Sequence, residues 1–299
     1  MANIENIIGK IRLSQGEIAS ISSARKYLEQ IITAKGNFMQ LPPPKELYII
    51  GSYKRGTKIS PLDDVDILYT IGNVRETSPN LYSIIDCAFT FNSNYLDTEN
   101  NISSKKVLDE IKSELASSYS RSEIKRNNEV VNLYLTSYNA GFDIIPAFYV
   151  EFANIYLIPL GSNSTKWKKT NPKIDEKILD VLNTKHNQLL KNVIRVIKYW
   201  FRKKKIKSLR SYHLEAIVYH LFTQLNPITT YLGGVSLFFR NINFSNYLSS
   251  CPDPTNISEN LSSDLTQADI ITITTEANNA LTKIAISEEE FVKYVDSDI

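Results

Sequence analysis

Three aspartates occupy positions where apolar, strand-like segments begin or are interrupted. Asp64 and Asp66 are one residue apart at the start of one apolar run, and Asp143 lies inside a later one. Side chains alternate along a strand, so Asp64 and Asp66 would share one face while Val65 and Ile67 pack on the other. If the strand with Asp143 lies beside them, three carboxylates converge. Carboxylates with phosphate oxygens are typical Mg²⁺ ligands, and two such ions can activate a hydroxyl and neutralise leaving pyrophosphate.

Each part of this set alone has an ordinary structural explanation. A single Asp-x-Asp is a common solvated pair, and Asp143 alone could be a charge on an edge strand. The Gly51-Ser52 pair makes the set more specific, because glycine lets a backbone approach a ligand closely. Residues 52–56 would form a short helix whose first N–H groups point at a phosphate, with the Ser52 hydroxyl as a further donor. The combination favours a functional site.

The elements that carry these residues predict a mixed α/β region followed by a helical one. Pro146 indicates that the strand with Asp143 is irregular or near an edge. Strands are expected at 47–50, at 64–71 and as a pair within EVVNLYLTSYNAGFDIIPAFYV, and amphipathic helices at 12–35, 184–205, 211–225 and 262–285. We therefore expect a catalytic core in residues 1–160, with an N-terminal helix that spans both lobes, and a helical domain in residues 161–299.

The predicted 184–205 helix separates an apolar face from a row of cations. The apolar face comprises Leu189, Leu190, Val193, Ile194, Ile197, Trp200 and Phe201. The cations Lys191, Arg195, Lys198 and Arg202 follow at spacings of four, three and four. A solvated outer face explains this row, but beside a site that binds triphosphates part of it would bind phosphate. An exposed Lys198 would contribute little to stability.

The composition narrows the class of protein. The chain has 299 residues, a formal net charge of +2 and two cysteines, Cys87 and Cys251. A charge near zero argues against binding to DNA or a membrane by overall charge. Two distant cysteines indicate reduced thiols, and no signal peptide or membrane span is apparent. We expect a cytoplasmic protein.

The Gly51-Ser52, Asp64-Val65-Asp66 and Asp143 constellation resembles that of the polymerase-β-like nucleotidyltransferases. The segments TKWKKTNP and KYWFRKKKIKSLRSYHLEAIVYHLF resemble the cyclic GMP-AMP synthase-like enzymes and their bacterial relatives, the cyclic-oligonucleotide synthases of anti-phage signalling. The resemblance covers roughly residues 10 to 285. It implies a two-lobed fold, α/β plus α, with a mixed-sheet catalytic lobe, a helical lobe and an active site in the cleft between them.

The resemblance also implies roles for individual residues. Asp64, Asp66 and Asp143 would hold two Mg²⁺ ions, with Mn²⁺ able to substitute, and Asp143 would assist deprotonation of the attacking ribose hydroxyl. Gly51 and Ser52 would cradle a nucleoside triphosphate. From the helical lobe, the triphosphate would be contacted by Lys198 and Ser211, and a base would stack on Tyr212.

Ser211 and Tyr212 also have structural explanations, because Ser211 is a natural helix N-cap and Tyr212 could be a core residue. We interpret His213 as a packed, hydrogen-bonded histidine and not a catalyst.

The product would be a cyclic di- or trinucleotide second messenger that a downstream effector binds, and we expect a monomer. The animal enzymes carry a His/Cys zinc insertion that senses DNA, whereas this chain has three histidines and no cysteine cluster. DNA should therefore not be required. The alternatives are a terminal nucleotidyltransferase or a nucleotidylating toxin acting on RNA or protein, and a nucleotide-binding sensor with a decayed site.

Overall fold

The computed structural model describes residues 3–34, 47–78, 81–85, 95–98, 101–161, 165–255 and 260–296. Its strands are β1 (Leu47–Ile49), β2 (Val65–Ser78), β3 (Leu81–Ile85), β4 (Glu123–Asn127), β5 (Val130–Leu135), β6 (Ala140–Val150), β7 (Ile155–Pro159) and β8 (Trp167–Thr170). Its helices are α1 (Ile4–Ile11), α2 (Gln15–Ala34), α3 (Gly51–Arg55), α4 (Ser104–Ser118), α5 (Pro172–Lys185), α6 (Leu190–Lys203), α7 (Ser211–Gln224), α8 (Tyr231–Phe244), α9 (Gln267–Ile286) and α10 (Glu288–Asp296).

The chain divides into two compact units. The sheet unit comprises Ser14–Tyr53 and Leu62–Asn171, and the helical unit comprises Met1–Leu13, Lys54–Pro61 and Pro172–Ile299. This division differs from the predicted boundary at residue 160, because β8 pairs with β7 and extends the sheet.

The N-terminal helix predicted over 12–35 is present as α2, Gln15–Ala34. Ser14 and Glu17 form a reciprocal cap at the start of α2, in which Glu17 N–H donates to Ser14 Oγ at 3.1 Å and Ser14 N–H donates to Glu17 Oε2 at 2.7 Å. The residues before this cap form a separate helix, α1, which belongs to the helical unit. The predicted helix therefore lies within the sheet unit, with α1 as an additional helix before it, and does not span both lobes as predicted.

The sheet unit is built on one mixed sheet with the strand order β1-β2-β6-β5-β4; β3 pairs with β2, and β7 joins β6 to β8. One face of the sheet packs on α2 and α4 through a continuous apolar core. β6 is a central strand, so the prediction of an edge is wrong. Pro146 is accommodated because, on the side away from β2, β5 pairs with β6 only as far as Ile144 and β7 only from Phe148.

The helical unit has its own apolar core, to which α1 and α5–α10 contribute. The apolar face predicted for α6 is buried in it, Leu190 and Trp200 completely. The helix predicted over 184–205 is present as α6 but begins later, at Leu190, because Asn187 and Gln188 adopt positive φ angles of 55° and 62° and separate it from α5. None of the helices in the described residues is long and apolar enough to cross a bilayer. Cys251 is buried, and Cys87 lies outside the described residues.

Candidate active site

Asp66 and Asp143 lie side by side in the sheet unit. β2 and β6 run parallel, and their register pairs Asp66 with Asp143. Neighbouring strands are about 4.8 Å apart, so the two carboxylates start from adjacent backbone positions. Both residues are half-buried, whereas Val65, Ile67 and Ile144 point into the core shared with α2 and α4. The two acids therefore occupy the opposite face of the sheet, and the predicted neighbour relation between their strands is confirmed.

Asp64 precedes the strand and is not part of it, because β2 begins at Val65. Its N–H donates to Asp63 Oδ1 at 2.9 Å. The loop at 63–64 passes directly over Gly141, where a Cβ atom would lie 2.5 Å from Asp63 O. Gly141 is two residues before Asp143 and on the same face of β6. Its missing side chain lets the Asp64 loop approach the paired acids.

Gly51 lies against the carboxylate of Asp66. Its φ is +69°, and a Cβ atom there would be 2.0 Å from Asp66 Oδ2. Ile50 N–H donates to Asp66 O at 3.0 Å, which holds this end of β1 beside β2. The predicted short helix is present as α3, and Ser52 lies in its first turn. The structure thus brings Gly51 and Ser52 to the position of the paired acids.

The sequence interpretation missed Asn132. It pairs with Asp143 across β5 and β6, and its Nδ2 donates to Asp143 Oδ1. Such a hydrogen bond fixes the orientation of a carboxylate and leaves its other oxygen for another contact. The available signal was an amide in the alternating strand VNLYL, where Val131 and Leu133 are buried and Asn132 is only half-buried.

The donor chemistry of these residues suits a hard divalent cation, because carboxylate oxygens are the preferred ligands of Mg²⁺. The backbone aligns Asp66 with Asp143 and brings the Asp64 loop close. Within the described part of the chain, no three His, Cys, Asp or Glu side chains are close enough together to hold a metal ion. The residue types and the in-register pair of Asp66 and Asp143 suit such a cation, whereas the predicted convergence of all three carboxylates is not seen, and metal binding stays a prediction.

Lys198 belongs to the helical unit and is buried, with 8% of its surface exposed. The prediction that Lys198 lies on an exposed face of α6 is wrong. Lys198 Nζ donates to Glu215 Oε1 on α7, which is completely buried. The other members of the cationic row have partners too: Lys191 Nζ is 2.7 Å from Asp180, and Arg202 Nη2 donates to Ser60 O at 2.8 Å.

Glu215 is the centre of a buried polar cluster. Its carboxylate accepts hydrogen bonds from Arg55 Nε at 2.8 Å, Thr57 Oγ1 at 2.9 Å and Tyr219 OH at 3.0 Å, besides that from Lys198. Burial alone would raise the pKa of Glu215, but the charges of Lys198 and Arg55 outweigh it and lower the pKa to about 2. The signal in the sequence was one acid within the apolar run LEAIVYHLF.

Asp175, on the first turn of α5, is the second acid of this cluster. Its Oδ2 accepts a hydrogen bond from Arg55 Nη1, whereas its Oδ1 is buried without a hydrogen-bond partner. Burial raises the pKa of Asp175 to about 7, although the charge of Arg55 opposes the change. The cluster therefore contains a carboxyl group that can change charge near neutral pH.

Tyr212 is held as a partly exposed ring at the start of α7. Its OH donates to Asp253 Oδ1 at 2.8 Å, and the Arg55 guanidinium carbon lies 6.0 Å from the ring centroid. Ser211 is the first residue of α7 and is exposed, and Arg210 takes the N-cap position without a capping hydrogen bond. The N-cap prediction for Ser211 is therefore wrong by one residue. The prediction that His213 is packed and hydrogen-bonded is confirmed, because it is buried and lies 3.0 Å from Ser262 Oγ.

Solved bacterial structures share this fold over almost the whole chain. The structure of Escherichia coli MS115-1 CdnC with ATP matches with a TM-score of 0.70 and 17% identity, covering 98% of this chain and 96% of that one. The 3′-deoxy GTP-bound form of Escherichia coli DncV matches with a TM-score of 0.67 and 13% identity, covering 98% and 92%. At these identities the likeness establishes the fold alone, and it confirms the predicted polymerase-β-like fold class.

Comparison of the sequence gives the closer relationship. A probable cyclic nucleotide synthase of Bacillus cereus strain VD146 is 34% identical over an alignment of 196 residues. The alignment covers 62% of this chain and 58% of that protein. The family model for the Second Messenger Oligonucleotide or Dinucleotide Synthetase domain (SMODS) matches residues 2–183, more than half of the chain. This region contains Gly51, Ser52 and the three aspartates, and the resemblance to bacterial cyclic-oligonucleotide synthases is confirmed at the level of the family. The chain belongs to the SMODS family.

Proposed function

We propose that this protein joins nucleoside triphosphates into a cyclic di- or trinucleotide second messenger and releases pyrophosphate. The observation that carries the proposal is the in-register pair of Asp66 and Asp143, with Gly51 packed on the Asp66 carboxylate. Two carboxylates opposite each other on adjacent strands repel one another, and a cation bound between them would relieve that repulsion. Membership of the SMODS family supports the same activity.

Two Mg²⁺ ions, or Mn²⁺ in their place, are the cofactors that fit this donor set. Asp64, Asp66 and Asp143 would hold them. Bound ions would make the attacking ribose hydroxyl easier to deprotonate and would offset the charge of the leaving pyrophosphate. Asn132 orients Asp143 by its hydrogen bond to Oδ1, and Gly51 leaves the space that the Asp66 carboxylate needs.

Nucleotide contacts are proposed for five residues: Gly51, Ser52, Lys198, Ser211 and Tyr212. Gly51 and Ser52 supply backbone N–H groups and a hydroxyl beside the paired acids. Tyr212 is a fixed, partly exposed ring, as a base-stacking platform requires. The solved structures of CdnC and DncV hold ATP and 3′-deoxy GTP, respectively, which supports nucleoside triphosphates as substrates.

The biological role of the product, the location of the enzyme and its oligomeric state are proposed as well. We infer that the product signals to a downstream effector in anti-phage defence, in the cytoplasm, and that the enzyme is a monomer. No DNA activator is proposed, because the chain has two cysteines and three histidines and none of the described ones belongs to a metal-binding group. Activation by double-stranded DNA that disappears at moderate salt would contradict this inference.

The experiment is incubation with labelled triphosphates, singly and in mixtures, with Mg²⁺ or Mn²⁺ and a phosphatase chase. We expect a phosphatase-resistant nucleotide from the wild type and none from the variant with both Asp64→Ala and Asp66→Ala, which should fold and melt at or above the wild-type temperature because carboxylate repulsion is relieved. Label transferred to added RNA or protein would instead support the terminal transferase or the toxin. Turnover retained in the double variant would contradict the mechanism, and a wild type without turnover would support the nucleotide-binding sensor.

A further inference from the structure

Two guanidinium groups of the helical unit converge on one uncharged oxygen. Arg12, which follows α1, donates from Nη2 to Asn192 Oδ1 at 3.4 Å, and Arg195 donates from Nη1 to the same atom at 2.5 Å. Asn192 is itself held, because its Nδ2 donates to Tyr231 OH at 3.1 Å. The amide thus fixes two positive charges beside each other without neutralising either of them.

Neither arginine is paired with an acid in the part of the chain that the structure describes. Asp180, the acid bound by this side of α6, is the partner of Lys191 at 2.7 Å. Arg195 Nε is buried and has no hydrogen-bond acceptor. The pKa of Arg195 is lowered, first by burial and then by the charge of Arg12. An arginine that loses water normally gains a carboxylate in exchange, so the missing counter-charge calls for an explanation.

The backbone of Gly56 packs against one side of Arg195. A Cβ atom at Gly56 would lie 3.9 Å from Arg195 Nη2 and 3.8 Å from Lys191 Cδ. Its φ of +71° favours glycine, so backbone and not a side chain faces the guanidinium. Arg12, which donates to the same oxygen of Asn192, is exposed.

We propose that Arg12 and Arg195 form a binding site for a phosphoryl group, with Asn192 as the residue that positions them. Guanidinium is planar and matches the oxygens of phosphate with paired N–H donors, and two such forks at one point supply the charge that a phosphate dianion needs. The site uses no residue assigned to metal or nucleotide binding, so it does not rest on the proposed function.

The test is titration of the full chain, without divalent metal and with EDTA, at constant ionic strength set with chloride. Inorganic phosphate, pyrophosphate and AMP are compared by calorimetry and by melting temperature. Wild type should bind saturably. Arg12→Gln and Arg195→Gln should each lose roughly 10- to 150-fold in affinity, the equivalent of one charge-assisted contact. Arg240→Gln, which removes an exposed arginine of α8, should bind like wild type.

The comparison of variants decides the outcome. Equal binding by wild type and both arginine variants, or a response that chloride reproduces, would mean charge screening and would overturn the site. Arg12 is exposed, so its variant should fold even if Arg195→Gln does not. The Asp64→Ala and Asp66→Ala double variant should retain binding, and loss of binding there would assign the anion to the acidic site and overturn the proposal. Tighter binding of pyrophosphate or AMP than of phosphate would identify the source of the phosphoryl group.

Discussion

Gly51 and Asp66 are in contact at a distance that no other residue at position 51 permits. A Cβ atom at position 51 would lie 2.0 Å from Asp66 Oδ2, and the φ of +69° is one that L-residues rarely adopt. Gly51→Ala should therefore displace the Asp66 carboxylate and cost about 1–2 kcal/mol in backbone strain. We expect the rate of product formation to fall at least tenfold, which corresponds to an increase of roughly 1.4 kcal/mol or more in the activation free energy. The melting temperature should also fall.

Gly9→Ala is the matched control. Gly9 lies within α1, and a Cβ atom there would meet no heavy atom within 4 Å. Alanine should leave activity unchanged and stabilise the helix by about 0.5–1 kcal/mol. If Gly51→Ala is as active as Gly9→Ala, the close contact with Asp66 has no role in the reaction.

Asn132 offers a second test, because it touches Asp143 without being a proposed ligand. Asn132→Ala removes a hydrogen bond to a charged group, of about 1.5–3 kcal/mol, and should lower kcat with little change in KM. Asn132→Asp places a like charge opposite Asp143 and should raise the pKa of that carboxyl, which would move the acid limb of the pH–rate profile to higher pH. Tyr134→Phe, on the same strand and face, should match wild type, and an unchanged profile in Asn132→Asp would contradict the positioning role.

The sequence was sufficient to predict that Asp66 and Asp143 are neighbours and insufficient to place Asp64 and the cations, and the reason is physical. Strand alternation predicts the face of the strand on which Asp66 lies, and Asp143 is recognisable as an acid within an apolar run. Only the pairing of β2 with β6 had to be found in the structure. Helical spacing places Lys198 on one side of α6. It does not reveal that α7 presents Glu215 to that side, so a buried ion pair was interpreted as an exposed face.

Contacts between residues distant in sequence, or turns without a glycine or proline, also explain why the boundaries of the helices and of the two units were not predicted. The turn between α5 and α6 depends on two residues with positive φ, Asn187 and Gln188, and neither is a glycine or proline that would mark a break in the sequence. Residues 1–13 and 54–61 belong to the helical unit through contacts that are distant in sequence, such as that of Arg55 with Glu215. No local pattern encodes such contacts.

Burial of Lys198 changes what its removal should do. Lys198→Ala leaves Glu215 buried with one cation fewer, and breaking a buried pair from one side typically costs about 3–5 kcal/mol. Because Arg55 remains on Glu215, we expect a loss of about 3 kcal/mol in the free energy of unfolding, measured with denaturant. Lys203→Ala, which removes a partly exposed charge at the end of α6, should change stability by less than about 0.5 kcal/mol.

Two further measurements separate stability from binding. Lys198→Met fills the space that Lys198→Ala leaves empty and keeps the buried pair of Arg55 and Glu215, so it should recover part of the lost stability. Nucleotide affinity of each folded variant then tests the proposed phosphate contact, with a loss of roughly 10- to 150-fold expected for Lys198→Ala alone and none for Lys203→Ala. Equal stabilities of Lys198→Ala and Lys203→Ala would contradict the buried pair.

Asp175 should give the helical unit a pH dependence of unusual sign. Its pKa is about 7 in the folded protein against an ordinary value of 3.8, chiefly because it is buried. Between these values the folded state holds a proton that the unfolded state has lost, so the free energy of unfolding falls as pH rises from about 4 to 7. Over this range the free energy of unfolding should fall by at most about 4 kcal/mol. Asp175→Asn should flatten this slope, whereas Asp264→Asn, an exposed control in the same unit, should not. Parallel slopes for all three proteins would contradict the assignment.

Tyr212 provides the test of base stacking, because its ring and its hydroxyl can be removed separately. Tyr212→Phe loses the hydrogen bond to Asp253 and keeps the ring, so the affinity for a non-hydrolysable triphosphate should stay near that of wild type. Tyr212→Leu keeps an apolar side chain and removes the π-face. Base stacking on an aromatic ring is worth about 1–3 kcal/mol, so affinity should fall roughly 5- to 150-fold. If the leucine and phenylalanine variants bind the nucleotide equally, the ring is held by Asp253 and Arg55 for structural reasons and does not contact the base.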